Sequence, residues 1–367
     1  MAIIKFNVKF DWKLLVLALI ICAMSLIVLY SAGFDFEEKQ SFSMTAQCLN
    51  IIVGLIAFFC CAILSPEFWR RWSYLIYGFG CVLLVLVFGI GVVGGGARRW
   101  LDFGFIQLQP SEIMKIGLIL TMARFFSAEN SPRDGYNLFT LLKPAMVIGI
   151  PAAMILVQPD LGTAGILCLV GGSMLLVAGV KLRTIITIVL LAGVLLIPAW
   201  GGLEEYQKNR VRNFLSPELD PMGTGYHAIQ SKIAVGSGQL LGKGYLKGTQ
   251  TQLRFLPEQT TDFIFSVLAE EWGFVGAAAL IAMYVLLILR LCMLANRASD
   301  GYGMFICVGT ACYVFWHAFI NMGMVIGILP VVGITLPLVS YGGTSVVSIL
   351  AVLGFAAGAG VRRGIFS

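Results

Sequence analysis

Residues 301–325 read GYGMFICVGTACYVFWHAFINMGMV, and they open a run that continues to residue 361 without any Asp, Glu, Lys or Arg. A helix needs about 20 mostly apolar residues to cross a bilayer. The run is long enough for two such spans, and Pro330 and Pro337 punctuate its middle. This stretch therefore predicts a helical membrane protein.

The composition of the whole chain agrees with this prediction. Of its 367 residues, 59% are hydrophobic and only 12% are charged, whereas soluble domains carry about 25% charged residues. Nine cysteines lie scattered in apolar runs and form no C-x-x-C pair. We interpret them as packing residues, because a disulfide framework or a zinc site requires a different spacing.

Further charge-free runs predict the other spans. One more apolar segment, 113–126, carries Lys115 and Arg124 and is also counted as a span. The predicted fold class is an all-α polytopic membrane protein with ten transmembrane helices, in a single transmembrane domain over residues 1–367. Besides that segment and the two spans within 301–361, the predicted spans are 14–34, 40–66, 72–97, 144–159, 161–180, 184–203 and 272–289.

The orientation follows from Lys and Arg, which are enriched in short cytoplasmic loops. With the N-terminus inside, the inner segments hold fourteen of these residues and the short outer segments hold four. This distribution predicts that both termini are cytoplasmic. It also predicts that the one long polar loop, 201–262 between the seventh and eighth spans, is extracytoplasmic. A short amphipathic helix is predicted within that loop, from Tyr226 to Val235.

Asp262 stands where this loop meets the apolar sequence Phe263, Ile264 and Phe265. A carboxylate at the mouth of a membrane helix loses part of its hydration, and its affinity for protons can thereby be tuned to that of a general base. The alternative is a helix N-cap, a position that Asp favours. We favour the catalytic interpretation, because Thr260 and Thr261 could cap the helix equally well.

Two other charged groups precede predicted spans. Arg98 and Arg99 could hold an anionic head group or anchor the chain at the interface. Glu112 and Lys115 are three residues apart and share one helix face, so they predict a polar patch facing a cavity. The start of that helix at Ser111 and Glu112 could alternatively be simple capping.

For several polar residues the structural interpretation is preferred. Asp160 in the turn 158–163 is expected to be an N-cap, and Glu270 and Glu271 are expected to form structural ion pairs. His317 and Asn321, four residues apart within a span, are expected to make interhelical hydrogen bonds.

The long loop also offers polar side chains without a recognised catalytic pattern. His227 and Ser231 are four residues apart, but no third group completes a nucleophilic triad. The glycines and lysines of 236–248 lack the phosphate-loop pattern. They could bind a lipid pyrophosphate through N–H groups and lysines, or simply solubilise the loop.

Taken together, the motifs of the chain resemble those of the SEDS family of cell-wall proteins, in family order across nearly the whole length. They are RWLD at 99–102, QPSEIMK at 109–115, QPDLGT at 158–163, GYHAIQSKIAVGSG at 225–238, LPEQTTDFIFSVLAEE at 256–271, GILPVVG at 327–333 and PLVSYGGTS at 337–345. Within the family, Gly248-Thr-Gln and the short N-terminal tail favour the rod-shape branch over the division branch.

The resemblance implies a peptidoglycan glycosyltransferase that polymerises lipid II at the outer face of the bacterial cytoplasmic membrane, with the active site facing the periplasm. Asp262 matches the family's essential loop aspartate, and Glu112 and Lys115 match polar positions lining its central cavity. The expected partners are lipid II and nascent glycan, a class B penicillin-binding protein and other rod-complex membrane proteins, but no nucleic acid. The expected substrate-binding residues are Arg98, Arg99, Glu112, Lys115, His227, Gln230, Ser231, Lys232 and Lys243.

The chemistry requires one base, which removes a proton from the acceptor sugar's 4-hydroxyl while the donor anomeric carbon inverts. No carboxylate nucleophile is needed, unlike in a retaining glycosidase. Positive charge stabilises the pyrophosphate leaving group. No definite cofactor is predicted. A divalent cation, Mg or Mn, could share this task. The alternatives are a lipid II flippase and a scaffold for cell-wall synthases.

Overall fold

The computed structural model describes residues 10–34, 42–94, 97–104, 107–128, 135–202, 224–253, 255–256 and 258–360, together with Lys208 and Arg212. Both termini and most of the first part of the long loop lie outside the described residues. Arg254, near the end of the loop, also lies outside them. The chain is mostly helical. The helices are α1 Trp12–Ala32, α2 Phe42–Ile63, α3 Pro66–Ile90, α4 Pro110–Phe126, α5 Leu142–Val157, α6 Leu161–Val177, α7 Leu182–Gly202, α8 Thr224–Ser237, α9 Thr249–Gln252, α10 Ile264–Arg297, α11 Gly301–Val325 and α12 Gly343–Ala359.

Several of these helices are long and apolar enough to cross a membrane. In the described part of the chain five helices meet this criterion, namely α1, α2, α3, α10 and α11, while α5, α6 and α12 are apolar but shorter. Large apolar side chains such as Ile56 and Leu75 are exposed on the outside of the bundle, as expected for surfaces that face lipid. The prediction of a polytopic helical protein is confirmed at this level, and the count of ten spans stays a prediction.

The expectation of an all-α fold is wrong in one place. Between α3 and α4 lies a small antiparallel sheet of β1 Val92–Gly94, β2 Ala97–Asp102 and β3 Gln107–Leu108, in the order β1-β2-β3. The predicted span 72–97 ends early because Gly91 takes an extended conformation after Ile90. The β-branched Val92 and Val93 then pair with β2.

Close helix contacts in the bundle depend on small residues. Gly354 and Gly358, four residues apart on α12, face the backbone of α2. A Cβ added at these glycines would lie 2.3 Å from the Phe58 carbonyl oxygen and 2.6 Å from that of Ala62. Small residues at this spacing let two membrane helices approach closely. Helix α11 packs against α4, α6, α10 and α12, and it therefore has neighbours on several sides.

Helix α10 is interrupted at Gly273, nine residues after its first residue, Ile264. Gly273 has φ 64° and ψ −161°, a conformation that is essentially restricted to glycine. The chain 238–244 packs into this break, where Phe274 N–H donates to Gln239 O at 2.8 Å and Lys243 N–H donates to Glu270 O at 3.0 Å. The predicted loop helix at 226–235 is confirmed by α8, which ends just before this segment.

Candidate active site

Asp262 lies in a turn immediately before α10 and is partly exposed. Its backbone N–H donates to Glu258 O at 3.1 Å. The N-cap residue of α10 is Phe263, and no side chain caps this helix, so the capping alternative for Asp262 is not what the structure shows. A Cβ added at Gly333, whose φ is +72°, would lie 3.4 Å from Asp262 Oδ2. The carboxylate therefore lies against the backbone of Gly333.

Helix α8 brings other predicted residues to the same region. The His227 ring lies 6.4 Å from the Phe263 ring between centroids, and burial lowers the pKa of His227, against an opposing effect of the Glu258 charge. Ser231 Oγ donates to Val325 O at 3.0 Å and so fixes α8 to the end of α11. Lys232 crosses Gly327, where an added Cβ would meet its Cε.

Gln230 is half-buried on this helix, and Lys232 is exposed. The loops 258–263 and 327–334 thus meet α8 around Asp262, as the substrate-binding prediction for α8 requires. The binding role of these side chains stays a prediction.

Glu112 and Lys115 form part of a buried polar cluster between α4, α11 and α12. Lys115 Nζ lies 2.7 Å from Glu112 Oε1 and 3.1 Å from His317 Nε2. Glu112 Oε2 accepts hydrogen bonds from Tyr313 at 3.0 Å and from Ser348 at 2.6 Å. These bonds connect the three helices, and removing either member of the buried pair would leave the other charge uncompensated.

This cluster adjoins Asp262 along α11. His317 contacts Lys115, and Asn321, one turn further on, donates from Nδ2 to Asp262 O at 2.9 Å. The predicted interhelical hydrogen bond is confirmed for His317, whereas Asn321 bonds to the non-helical segments at Asp262 and Ile334 and not to another helix. Sequence reasoning did not place these two residues, Tyr313 or Ser348 in the site, although the spacing of four residues between Tyr313, His317 and Asn321 on α11 indicated a shared polar face.

Arg98 and Arg99 lie on β2, near the start of α6. Arg98 is exposed, whereas Arg99 Nη1 lies 3.5 Å from Asp160 Oδ2. Asp160 also accepts from Thr163 N–H at 3.0 Å, which confirms its predicted N-cap role. The strand therefore ties one arginine to the protein and leaves the other facing outward.

Glu270 confirms the structural ion pair expected for it. Its carboxylate is fully buried, with 0% exposure. It lies 2.8 Å from Lys243 Nζ and accepts from Gln250 N–H at 2.9 Å and from Thr251 Oγ1 at 2.9 Å. Lys243 is thus held by Glu270 in this structure.

The neighbouring Glu271 accepts from Ser31 Oγ at 2.5 Å, so for it the described contacts are hydrogen bonds and the ion-pair expectation is not seen. The glycines of the loop have a packing role, since a Cβ at Gly238 would lie 1.9 Å from Ala269 O. Within the residues that the structure describes, no group of three or more His, Cys, Asp or Glu side chains could hold a metal ion.

Comparisons with known proteins match this architecture. The family described as FtsW/RodA/SpoVE, cell cycle protein, matches residues 11–361. The chain belongs to this family.

Its relatives include proteins with stated activities. The peptidoglycan glycosyltransferase MrdB of Escherichia coli K12 is 41% identical over 350 residues, which cover 95% of this chain and 92% of that protein. Stage V sporulation protein E of Bacillus subtilis is 35% identical over 357 residues, covering 94% and 95% of the two chains. The predicted membership of the SEDS family, in its rod-shape branch, is confirmed.

Solved structures agree with the family assignment. A chain from a peptidoglycan synthase complex, described as coordinating polymerization and crosslinking, has a TM-score of 0.81 at 31% identity and covers 96% of this chain and 98% of its own. The rod shape determining protein RodA of Thermus thermophilus has a TM-score of 0.72 at 28% identity, covering 97% and 98%. The fold of this family member is therefore that of RodA.

Proposed function

We propose that this chain is a peptidoglycan glycosyltransferase that polymerises lipid II into β-1,4 glycan strands during cell elongation. The observation that carries the proposal is the 41% identity, over 95% of the chain, to a protein named peptidoglycan glycosyltransferase. The placement of Asp262 supports it, because a partly exposed carboxylate at the end of the long loop is accessible to a substrate hydroxyl.

In this mechanism Asp262 is the general base. Its carboxylate takes the proton from the acceptor sugar's 4-hydroxyl as that oxygen forms a bond to the anomeric carbon of the donor. The bond from this carbon to the lipid pyrophosphate breaks, the pyrophosphate leaves with the electron pair, and the configuration inverts. The proton stays on Asp262 until solvent removes it.

The leaving group needs positive charge rather than an acid. Lys115 and Lys243 each contact a buried glutamate, whereas Arg98 and Lys232 are exposed. We therefore assign pyrophosphate contact first to Arg98 and Lys232, and second to Arg99, which also pairs with Asp160. The predicted Mg or Mn stays a prediction.

In this proposal, the active site faces the periplasm at the outer surface of the bacterial cytoplasmic membrane. The proposed topology is a single domain over residues 1–367, with ten spans, both termini in the cytoplasm and the loop 201–262 outside. The excess of Lys and Arg in the inner segments supports this orientation. The similarity to a chain of a peptidoglycan synthase complex supports a partner that cross-links the new glycan, a class B penicillin-binding protein, within a rod complex.

The test is polymerisation of lipid II by the purified full-length protein, with and without the partner transpeptidase, read on a glycan-strand gel. Asp262→Asn is expected to reduce the rate about 10²- to 10⁴-fold, the usual contribution of a general base. Glu258→Gln, which removes an exposed carboxylate from the same turn, is the matched control and is expected to remain active.

Full activity in Asp262→Asn would refute its role as the base. Transport of lipid II across vesicles without polymer would instead support a flippase. Neither polymer nor transport would support a scaffold.

A further inference from the structure

Three consecutive backbone carbonyls leading into the proposed base accept hydrogen bonds from distant parts of the chain. Thr260 O accepts from Tyr341 N–H at 2.8 Å. Thr261 O accepts from Ser340 Oγ at 2.5 Å, and Asp262 O accepts from Asn321 Nδ2 at 2.9 Å. The turn that carries Asp262 is therefore held from α11 and from the loop before α12.

The two side chains that make these bonds are buried, Asn321 with 0% exposure and Ser340 with 2%. The Ser340 hydroxyl also accepts from Leu336 N–H at 2.7 Å, so its orientation is fixed. Buried polar groups with defined partners hold a specific geometry, because breaking their bonds leaves unsatisfied carbonyls.

Asn321 reaches both sides of the site. Besides Asp262 O, its amide donates to Ile334 O at 2.7 Å. Ile334 follows Gly333, the glycine that lies against the Asp262 carboxylate. The Asn321 amide therefore fixes the backbone of Asp262 relative to the segment Gly333–Ile334, against which the carboxylate lies.

We infer that Asn321 and Ser340 are positioning residues for the polymerisation reaction, fixing the backbone of Asp262 so that its carboxylate meets the acceptor hydroxyl. The inference rests on the proposed function. A general base must lie within hydrogen-bond reach of the proton that it removes. A displacement of about 1 Å can reduce a rate about 10²-fold, so these residues act on turnover without touching the substrate.

The test uses two substitutions in the full-length protein, Asn321→Leu and Ser340→Ala, each of which removes a hydrogen-bond donor. The matched control is Thr121→Val, which removes a buried hydroxyl that donates to Ser73 O at 3.2 Å, between α4 and α3. All three variants lose a side-chain bond to a backbone carbonyl, but only two lose one at the Asp262 turn. Lipid II polymerisation is measured for kcat, for KM and for the pH dependence of kcat, alongside the melting temperature.

We expect kcat to fall about 10- to 100-fold in Asn321→Leu and Ser340→Ala, with KM for lipid II close to the wild-type value. The acid limb of the kcat profile is expected to move in both variants, because the surroundings of the base change. Thr121→Val is expected to keep kcat and the acid limb.

Two results would overturn the inference while leaving the proposed function intact. One is kcat in both variants equal to that of Thr121→Val. The other is a fall in melting temperature far beyond that of the control, with KM rising as kcat falls, which indicates a structural role only. A wild-type protein that makes no polymer, or an unaffected Asp262→Asn, would overturn the proposed function itself and this inference with it.

Discussion

At the scale of single residues, some polar groups of the site can be recognised from the sequence, and others are brought together only by the fold. Asp262 could be chosen from the sequence because a lone carboxylate precedes an apolar run. Its neighbours Asn321, Ser340 and Gly333 could not, because they are far away in the chain. Asn321 is 59 residues from Asp262, and Ser340 is 79 residues from Thr261, to which it donates. Likewise, no local pattern indicated that Lys243 would pair with Glu270, 27 residues later.

A pH dependence is expected at His227. Burial lowers its pKa below the ordinary 6.5, and the Glu258 charge opposes this effect only in part. The unfolded chain therefore binds this proton more readily than the folded protein does, so stability should fall as the pH decreases through about 6.5 and be unaffected by this group above it.

The measurement is the melting temperature of the wild type and His227→Gln at pH about 7.5 and about 5.5. The wild type should lose more stability than the variant on acidification. An equal loss in both proteins would contradict the expected role of His227.

At the scale of elements, hydrophobic runs located the helices well, and their ends less well. The predicted loop helix at 226–235 lies within α8. The break in α10 could not be predicted from apolar runs, because it depends on the positive φ of Gly273. The sheet after α3 could not be predicted either, because the apolar run continues past Gly91, where the helix ends. Gly273 and Gly91 are ordinary members of apolar stretches in the sequence, and only tertiary contacts show what they do.

Gly273→Ala is expected to disturb the loop more than the helix. An added Cβ would lie 2.3 Å from Gly242 N and 2.6 Å from Leu240 O, at a positive φ. We expect a loss of about 1–3 kcal/mol, from backbone strain, together with faster cleavage of the segment 238–251 in limited proteolysis.

Gly165→Ala in α6 is the control, because a Cβ there meets nothing within 4 Å. It is expected to be neutral or stabilising by up to about 1 kcal/mol. Equal proteolysis of the two variants would contradict a role for Gly273 in holding the loop.

At the scale of the whole molecule, charge alone is enough to predict an orientation in the membrane, but not the arrangement of the helices. Lys and Arg counts predict which ends of the spans are cytoplasmic. The neighbours of α11, namely α4, α6, α10 and α12, are set by packing between segments far apart in sequence, for which a single sequence carries no direct signal.

The orientation is tested with cysteines introduced at two exposed positions, Lys247 in the loop and Arg297 at the end of α10. Lys247→Cys should react with a membrane-impermeant maleimide in intact spheroplasts. Arg297→Cys should react only after permeabilisation. The unsubstituted chain, with its own nine cysteines, gives the background, and labelling in the reverse order would contradict the proposed topology.

The pairing of Glu112 with Lys115 has a consequence for how the protein is made. The two residues are three positions apart on α4, so each can neutralise the other within a single helix, before any neighbouring helix arrives. A lone charge costs about 2.5–3.5 kcal/mol to insert at the centre of a membrane helix, and less near its ends. In the proposed ten-span topology, helix α4 can thus leave the translocation machinery with its own counter-ion, and the contacts with His317 and Tyr313 form afterwards, as the later helices are synthesised.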